Sequence, residues 1–286
     1  PAPAVVEALS FETIFAAMLA DLRARDPAFT ALVESDPAYK ILEVAAYREL
    51  LVRQRVNDAA RRVMLAYAAG ADLEHLAALY GVTRAVVDPG DPGAVPPVPP
   101  LYETDERLRH RVQQAPEALS TAGPVGAYEF HAFSASGAVA DVDVASPAPG
   151  EVVVTVLSAL ENGVPSPELL ELVEAAVNAR DVRPLTDQVT VQAAAVLTYA
   201  VEAVLYLYSG PDPEVVRQAA ADAATAYAAE HFRLGHDITL SGLYAALHRP
   251  GVQRVELTSP AATLVVEGHQ AARASAIAVT IGGTDE

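Results

Sequence analysis

Few residues in this chain have the type and spacing that chemistry demands, and each has an ordinary structural reading beside the functional one. The nearest approach to a metal pair is His231 and His236 in HFRLGH. A five-residue step across a glycine does not set two imidazoles on one helical face, and no carboxylate completes the set, so no metal is expected. His131, in AYEFHAF, is a general base by residue type, but no Ser or acid stands at an interpretable offset, and a half-buried imidazole is sufficient. Glu74 and His75 adjoin in sequence and so point about 100° apart on a helix. The run Asp105, Glu106, Arg107, Arg109, His110, Arg111 would gather an anion or form an exposed charged helix, the second being the plainer reading. STAGP at 120–124 supplies a capping hydroxyl, a tight turn and a first-turn Pro, a local structural role. The chain has no phosphate-cradling Gly loop, nucleophile elbow or His-Glu-x-x-His pair. The expectation is therefore no catalytic, cofactor-binding or metal residue, and no enzyme.

Composition narrows the class further. With no Cys among 286 residues there is neither a disulfide framework nor a thiolate site, which suits folding in a reducing cytosol. The net charge of −18 opposes contact with phosphate backbones, so no nucleic-acid partner is expected. That charge is uneven: residues 1–85 hold 11 acidic and 9 basic groups, residues 86–286 hold 26 and 10. No stretch reaches the ~18 to 20 consecutive apolar residues of a membrane span, and the chain reads as soluble with no membrane partner. The leading Pro is most simply explained by loss of an initiator Met, and nothing near it has the pattern of a signal peptide.

The elements that would position any site divide the chain in four. Residues 1–85 read as a helical domain: Ser10 caps a helix through Phe11, Ile14, Phe15, Met18, Leu19 and Leu22 that stops near Pro27, and Ser35 or Asp36 caps a second, with Pro37 in its first turn. The second helix has no Gly or Pro before Gly70, and from Pro37 to Tyr67 it would span roughly 46 Å at ~1.5 Å per residue. Its apolar stripe is Leu42, Ala45, Val52, Val56, Ala59, Val63 and Tyr67, widened by Ile41, Val44, Tyr47, Leu51 and Leu65. So long a stripe on so small a domain is expected to be a partner interface, with Arg48, Arg53, Arg55, Arg61 and Arg62 available to meet acidic surface on a neighbouring copy. Asp72 is expected to cap DLEHLAALYG, ending at Gly81. Residues 86–102 read as a Pro-rich linker or extended arm of stiff polyproline-II course, since VVDPGDPGAVPPVPP holds six Pro and two Gly.

Beyond it come two small α+β modules, 103–193 and 194–286. The first holds a helix after Thr104, another begun by Thr121 and Pro124, a hairpin (138–144 and 151–157 about the turn SPAPG), a helix from Pro167 and a strand at 188–193. The second holds a strand at 197–208, helices at 214–232 and 241–247, a hairpin of 252–258 with 263–266, and a closing strand at 276–281.

The segments LVESDPAYKILEVAAYRELLVRQRVNDAARRVMLAYAAGADLEHLAALYGV (32–82), STAGPVGAYEFHA (120–132), SPAPGEVVVTVLS (146–158), NARDVRPLTDQVTV (178–191) and GVQRVELTSPAATLVV (251–266) resemble the baseplate assembly protein J family of contractile-tailed bacteriophages, in order and over nearly the whole chain. The resemblance implies a structural wedge subunit of the tail baseplate in the virion, assembled in the host cytoplasm. It implies N-terminal helices bundled with a second copy and the I-type wedge protein. It further implies a body contacting adjacent wedges, the W-type lysozyme-like protein and the central hub and spike, in a ring that rearranges when the sheath contracts. Tailocin-type particles share that plan. Against it stand two rivals: a tail-associated hydrolase, which would need convergent carboxylates in a cleft, and a soluble adaptor that forms no ring.

Overall fold

The computed structural model describes residues 3–29, 33–120, 123–210 and 212–284. The chain forms two compact units, Pro1–Thr83 and Arg84–Glu286.

In the first unit, helix α1 (Phe11–Arg25) begins where Ser10 Oγ accepts the Thr13 N–H at 3.2 Å and ends at Asp26, whose extended backbone leads into Pro27. Helix α2 (Pro37–Arg62) starts at Asp36, whose carboxylate accepts the Ala38 N–H at 2.8 Å, with Pro37 where no N–H is needed. The two helices meet through Phe11, Phe15 and Tyr39, the last two edge-on with centroids 4.8 Å apart. On α2 the inward face carries Ala46 and Asn57; Asn57 takes the Glu7 N–H and donates to the Glu7 carbonyl, pinning the N-terminal strap across the helix.

Helix α2 stops at Arg62, five residues short of the expected end at Tyr67, and Val63–Tyr67 form turns. Ala68, just past the helix end, is fully buried, as are Leu73, Ala77 and Val82 in the segment that follows; tertiary burial outweighs helix propensity here. Helix α3 (Gly70–Ala78) accordingly begins at Gly70, which the sequence suggests as a stop, while Asp72 lies within the first turn and does not cap it. Gly70 sits at φ +54°, a conformation that suits glycine at this reversal.

The second unit opens on the Pro-rich segment, which is no extended arm. Strand β1 (Val86–Asp88) pairs antiparallel with β2 (Leu101–Tyr102), and Asp91 bridges Val98 between them. Two Asp-Pro-Gly turns drive the reversal: Asp88 Oδ1 accepts the Gly90 N–H and Asp91 Oδ1 the Gly93 N–H, each at 2.8 Å. These local bonds override the polyproline-II preference of the neighbouring prolines.

Helix α4 (Asp105–Gln114), capped by Thr104, is followed by α5 (Val125–Ala135). The expected capping residue Thr121 lies outside the described residues. Strands β3 (Val139–Ala145) and β4 (Glu151–Ser158) form the expected hairpin, α6 (Pro167–Val177) follows the Ser166 cap, and β5 (Gln188–Ala193) pairs parallel with β4. The sheet order is β3-β4-β5. Tyr128, Phe133, Val139, Val154, Val156 and Val173 fill the core between this sheet and α5 and α6.

A second sheet is built on the long strand β6 (Ala195–Leu207), with helices α7 (Pro213–Glu230) and α8 (Leu240–Leu247), then β7 (Val252–Ser259) and β8 (Gln270–Thr284). Its order is β7-β6-β8, with β7 antiparallel and β8 parallel to β6. The expected hairpin of 252–258 with 263–266 does not form: β7 takes β6 as partner, and Leu264 bridges Ile238 instead. Leu157 and Ala194 pack against Leu234 and Ala271, joining both sheets through one apolar seam. The fold is α+β.

Candidate functional site

Helix α2 presents its apolar residues outward. Val52 and Val56 are 63% and 57% exposed, Ala45 and Ala59 are exposed, and Leu42 is half-buried. Ile41, Val44, Tyr47 and Leu51 are exposed as well. Taken at 3.6 residues per turn, Ile41, Val44, Ala45, Leu51, Val52, Val56 and Ala59 fall on one face, and Arg48 and Arg55 rise from its centre. Val63 and Tyr67 are exposed but lie past the helix end, so they do not continue this stripe.

The arginines divide by local pairing. Arg53 holds Glu49 at 2.6 Å and Glu7 at 3.3 Å, which keeps its guanidinium above the ordinary range and commits it within its own unit. Arg62 meets Asp72 at 3.6 Å. Arg48 and Arg55 are exposed and Arg61 is half-buried.

The two histidines of HFRLGH do not face one another as a pair. His231 stacks on Tyr227 with centroids 4.0 Å apart and shares a hydrogen bond with the Tyr227 carbonyl; His236 meets it only edge-on at 6.2 Å. Among the described residues no group of three His, Cys, Asp or Glu side chains could hold a metal ion. Burial holds His131 below the usual imidazole range, opposed by Asp181. Tyr128 donates to Asp187 at 2.9 Å, and burial with that bond raises the phenol well above its ordinary pKa. No helix among the described residues is long and apolar enough to cross a membrane.

The charged run on α4 differs from both readings of the sequence, because Arg107 and Arg111 point inward. They converge on Glu103, whose side chain is fully buried: Arg111 binds Oε1 at 2.6 Å and Arg107 binds Oε2. Arg107 also donates to the carbonyls of Phe133, Ser136 and Val139, so one guanidinium ties α4 to the end of α5 and the start of β3. Burial holds it below the usual guanidinium range, against the pull of Glu103. Arg84 grips the Glu103 carbonyl at 2.7 Å and Asp105 at 2.6 Å. Sequence reasoning missed Glu103, although its spacing of four and eight residues from Arg107 and Arg111 is the available signal.

The structural surfaces are thus an outward apolar helix face on one unit and an ion-paired brace in the other. Three successive stretches match the descriptions Baseplate J-like N-terminal domain (34–91), Baseplate J-like central domain (120–193) and Baseplate J-like protein C-terminal domain (199–280). The chain belongs to the baseplate J family. Baseplate protein J of Escherichia phage P2 is 50% identical over 293 residues, covering 100% of this chain and 97% of that protein. A chain in the cryo-EM structure of the anti-feeding prophage baseplate, 6-fold symmetrised, matches with a TM-score of 0.33 and 12% identity. That match covers 94% of this chain and 54% of the other. Family membership gives this chain a structural role in a phage baseplate, among other baseplate proteins. Residues 92–119, which include α4 and Glu103, fall between the first two matched stretches.

Proposed function

We propose that this chain is a baseplate wedge subunit whose α2 face enters a helical bundle and whose body makes ring contacts around the hub and spike. The observation that carries the reading is the row of exposed apolar side chains along α2, Ile41, Val44, Leu51, Val52 and Val56, on a helix already packed against α1 by its other face. A second copy and an I-type wedge protein are the proposed bundle partners; the W-type lysozyme-like protein and adjacent wedges are those of the body. Arg48 and Arg55, central on the α2 face, meet carboxylates of the partner helices, which opposes the repulsion among chains of net charge −18. Sheath contraction rotates these rigid parts about retained contacts.

The reading also accounts for what the carboxylates are engaged in. Asp141, beside the cavity near α4, accepts the backbone N–H groups of Val142 and Leu234, a structural use rather than that of a paired hydrolytic acid.

The test replaces Val52 and Val56 together by Asp. Because both lie on the solvent side of α2, the variant should fold as a monodisperse protein and fail to co-assemble with its partners in a native mass measurement. Normal assembly at wild-type affinity would remove the bundle from the reading. A stable one-to-one complex with a single partner would favour an adaptor.

A further inference from the structure

A cavity of about 420 Å³ opens between α4, β3 and the loop after α7. Arg107, Arg109 and His110 line it from α4, Arg233 from the loop after α7, and Phe133 and Phe232 supply apolar wall. Two carboxylates, Glu106 and Asp141, also reach it. Asp141 spends both oxygens on backbone N–H groups, at 3.0 and 2.9 Å. Counting the buried Glu103 with the two arginines that bind it, four guanidiniums stand against three carboxylates here, in a body whose residues 86–286 carry a surplus of 16 acidic groups, a local reversal of sign. The Arg107 head is held rigid by its bonds to three carbonyls and Glu103, so its geometry is set before any ligand arrives.

A second hollow of about 540 Å³ shares His110 and Gln113 with the first and is lined also by Gln114, Glu117 and Glu129, so the two together make a groove along α4. The Glu117 and Glu129 end has the opposite sign. Burial, with Asp141, Asp143 and Glu117 nearby, raises Glu129 above the ordinary carboxylate range, the mark of a crowded negative site. A small anion would use one end of this groove; an extended chain uses both.

We infer that the groove along α4 binds an extended polypeptide segment of a neighbouring protein, with carboxylates at the Arg107, Arg109 and Arg233 end and a basic residue at the Glu117 and Glu129 end. The wedge reading supplies the neighbour, but the groove's chemistry does not depend on it. Electrostatic complementarity of this kind fixes the direction and register of the bound segment.

The experiment is fluorescence anisotropy of the full chain with a labelled heptapeptide of two aspartates, three glycines and two lysines. Arg109→Glu with Arg233→Glu, on the rim, is expected to weaken binding at least tenfold, and Glu117→Gln with Glu129→Gln severalfold. Arg180→Glu, an exposed reversal elsewhere on the unit, is expected to leave it unchanged; a single cooperative thermal transition in each variant shows that it folds. A peptide with asparagine and glutamine in place of the charged residues should not bind. Equal losses in the Arg180 and rim variants would overturn the proposal, as would displacement of the peptide by equimolar inorganic phosphate or no binding to the wild type. Each result is read without assembling a baseplate, so failure here leaves the bundle assignment standing.

Discussion

Glu103→Gln isolates the brace that holds α4. Glu103 Oε1 accepts Arg111 at 2.6 Å and the Ala85 N–H at 2.8 Å, and Oε2 accepts Arg107. The amide keeps the shape but loses the charge, and its NH₂ sets a donor against a guanidinium. Two charge-assisted hydrogen bonds are worth about 1.5–3 kcal/mol each, and removing one partner of a buried ion pair costs about 3–5 kcal/mol. Taking about 3–5 kcal/mol, and about 2–4 °C per kcal/mol for a unit of this size, the midpoint should fall by roughly 6–20 °C. Thermal and urea unfolding measure the loss, and amide hydrogen exchange in α4 and β3 locates it. The matched control is Glu49→Gln, which removes the solvent-facing Arg53 pair and should cost no more than about 1 kcal/mol. A Glu103→Gln loss below 1 kcal/mol would refute the claim that this ion pair braces the unit.

Two further outcomes follow from separate features. A Cβ on Gly137 would collide with the backbone of Val86, so Gly137→Ala should cost about 1–3 kcal/mol and detach the hairpin of β1 and β2, read as faster exchange at β1. Glu129 has a raised carboxyl pKa, so the folded chain binds its proton more tightly than the unfolded chain does. Its contribution to stability is therefore lost as pH rises from the ordinary carboxylate range through the raised value. Glu129→Gln, which still offers Gln114 an oxygen, should be more stable than wild type at neutral pH and lose that advantage in acid.

Sequence legibility followed the reach of the interactions. The caps at Ser10, Asp36 and Thr104, and the hairpin of β3 and β4, depend on residues within a few positions of one another, and they stand where the local signals put them. The end of α2 did not, because no Gly or Pro interrupts the pattern before Gly70, whereas the full burial of Ala68 is a tertiary outcome that helical periodicity does not register. Pairing of β8 with β6 joins residues some 75 apart across two helices, and alternation alone could not choose it over a hairpin with 263–266. The Pro-rich segment misled for a narrower reason: counting prolines overlooked that two of them sit in Asp-Pro-Gly turns. On α4, a run of charge by itself signals exposure, and only the pairing with Glu103 offsets the burial of Arg107 and Arg111. The outward apolar face of α2 was visible as periodicity, but its outward direction is known only once α1 and the N-terminal strap occupy the other side.

The closed hairpin at the start of the second unit has a mechanical consequence. Tension carried along the chain past Thr83 reaches Arg84, whose guanidinium is fastened to Glu103 and Asp105, so it runs straight across to the far end of the loop and bypasses residues 86–102. Those residues hold slack: drawn out at ~3.3 Å each, they amount to roughly 56 Å of contour. While the clasp holds, that contour stays stored; a load that opened it would release the length without unfolding the sheet of β3, β4 and β5 or that of β6, β7 and β8.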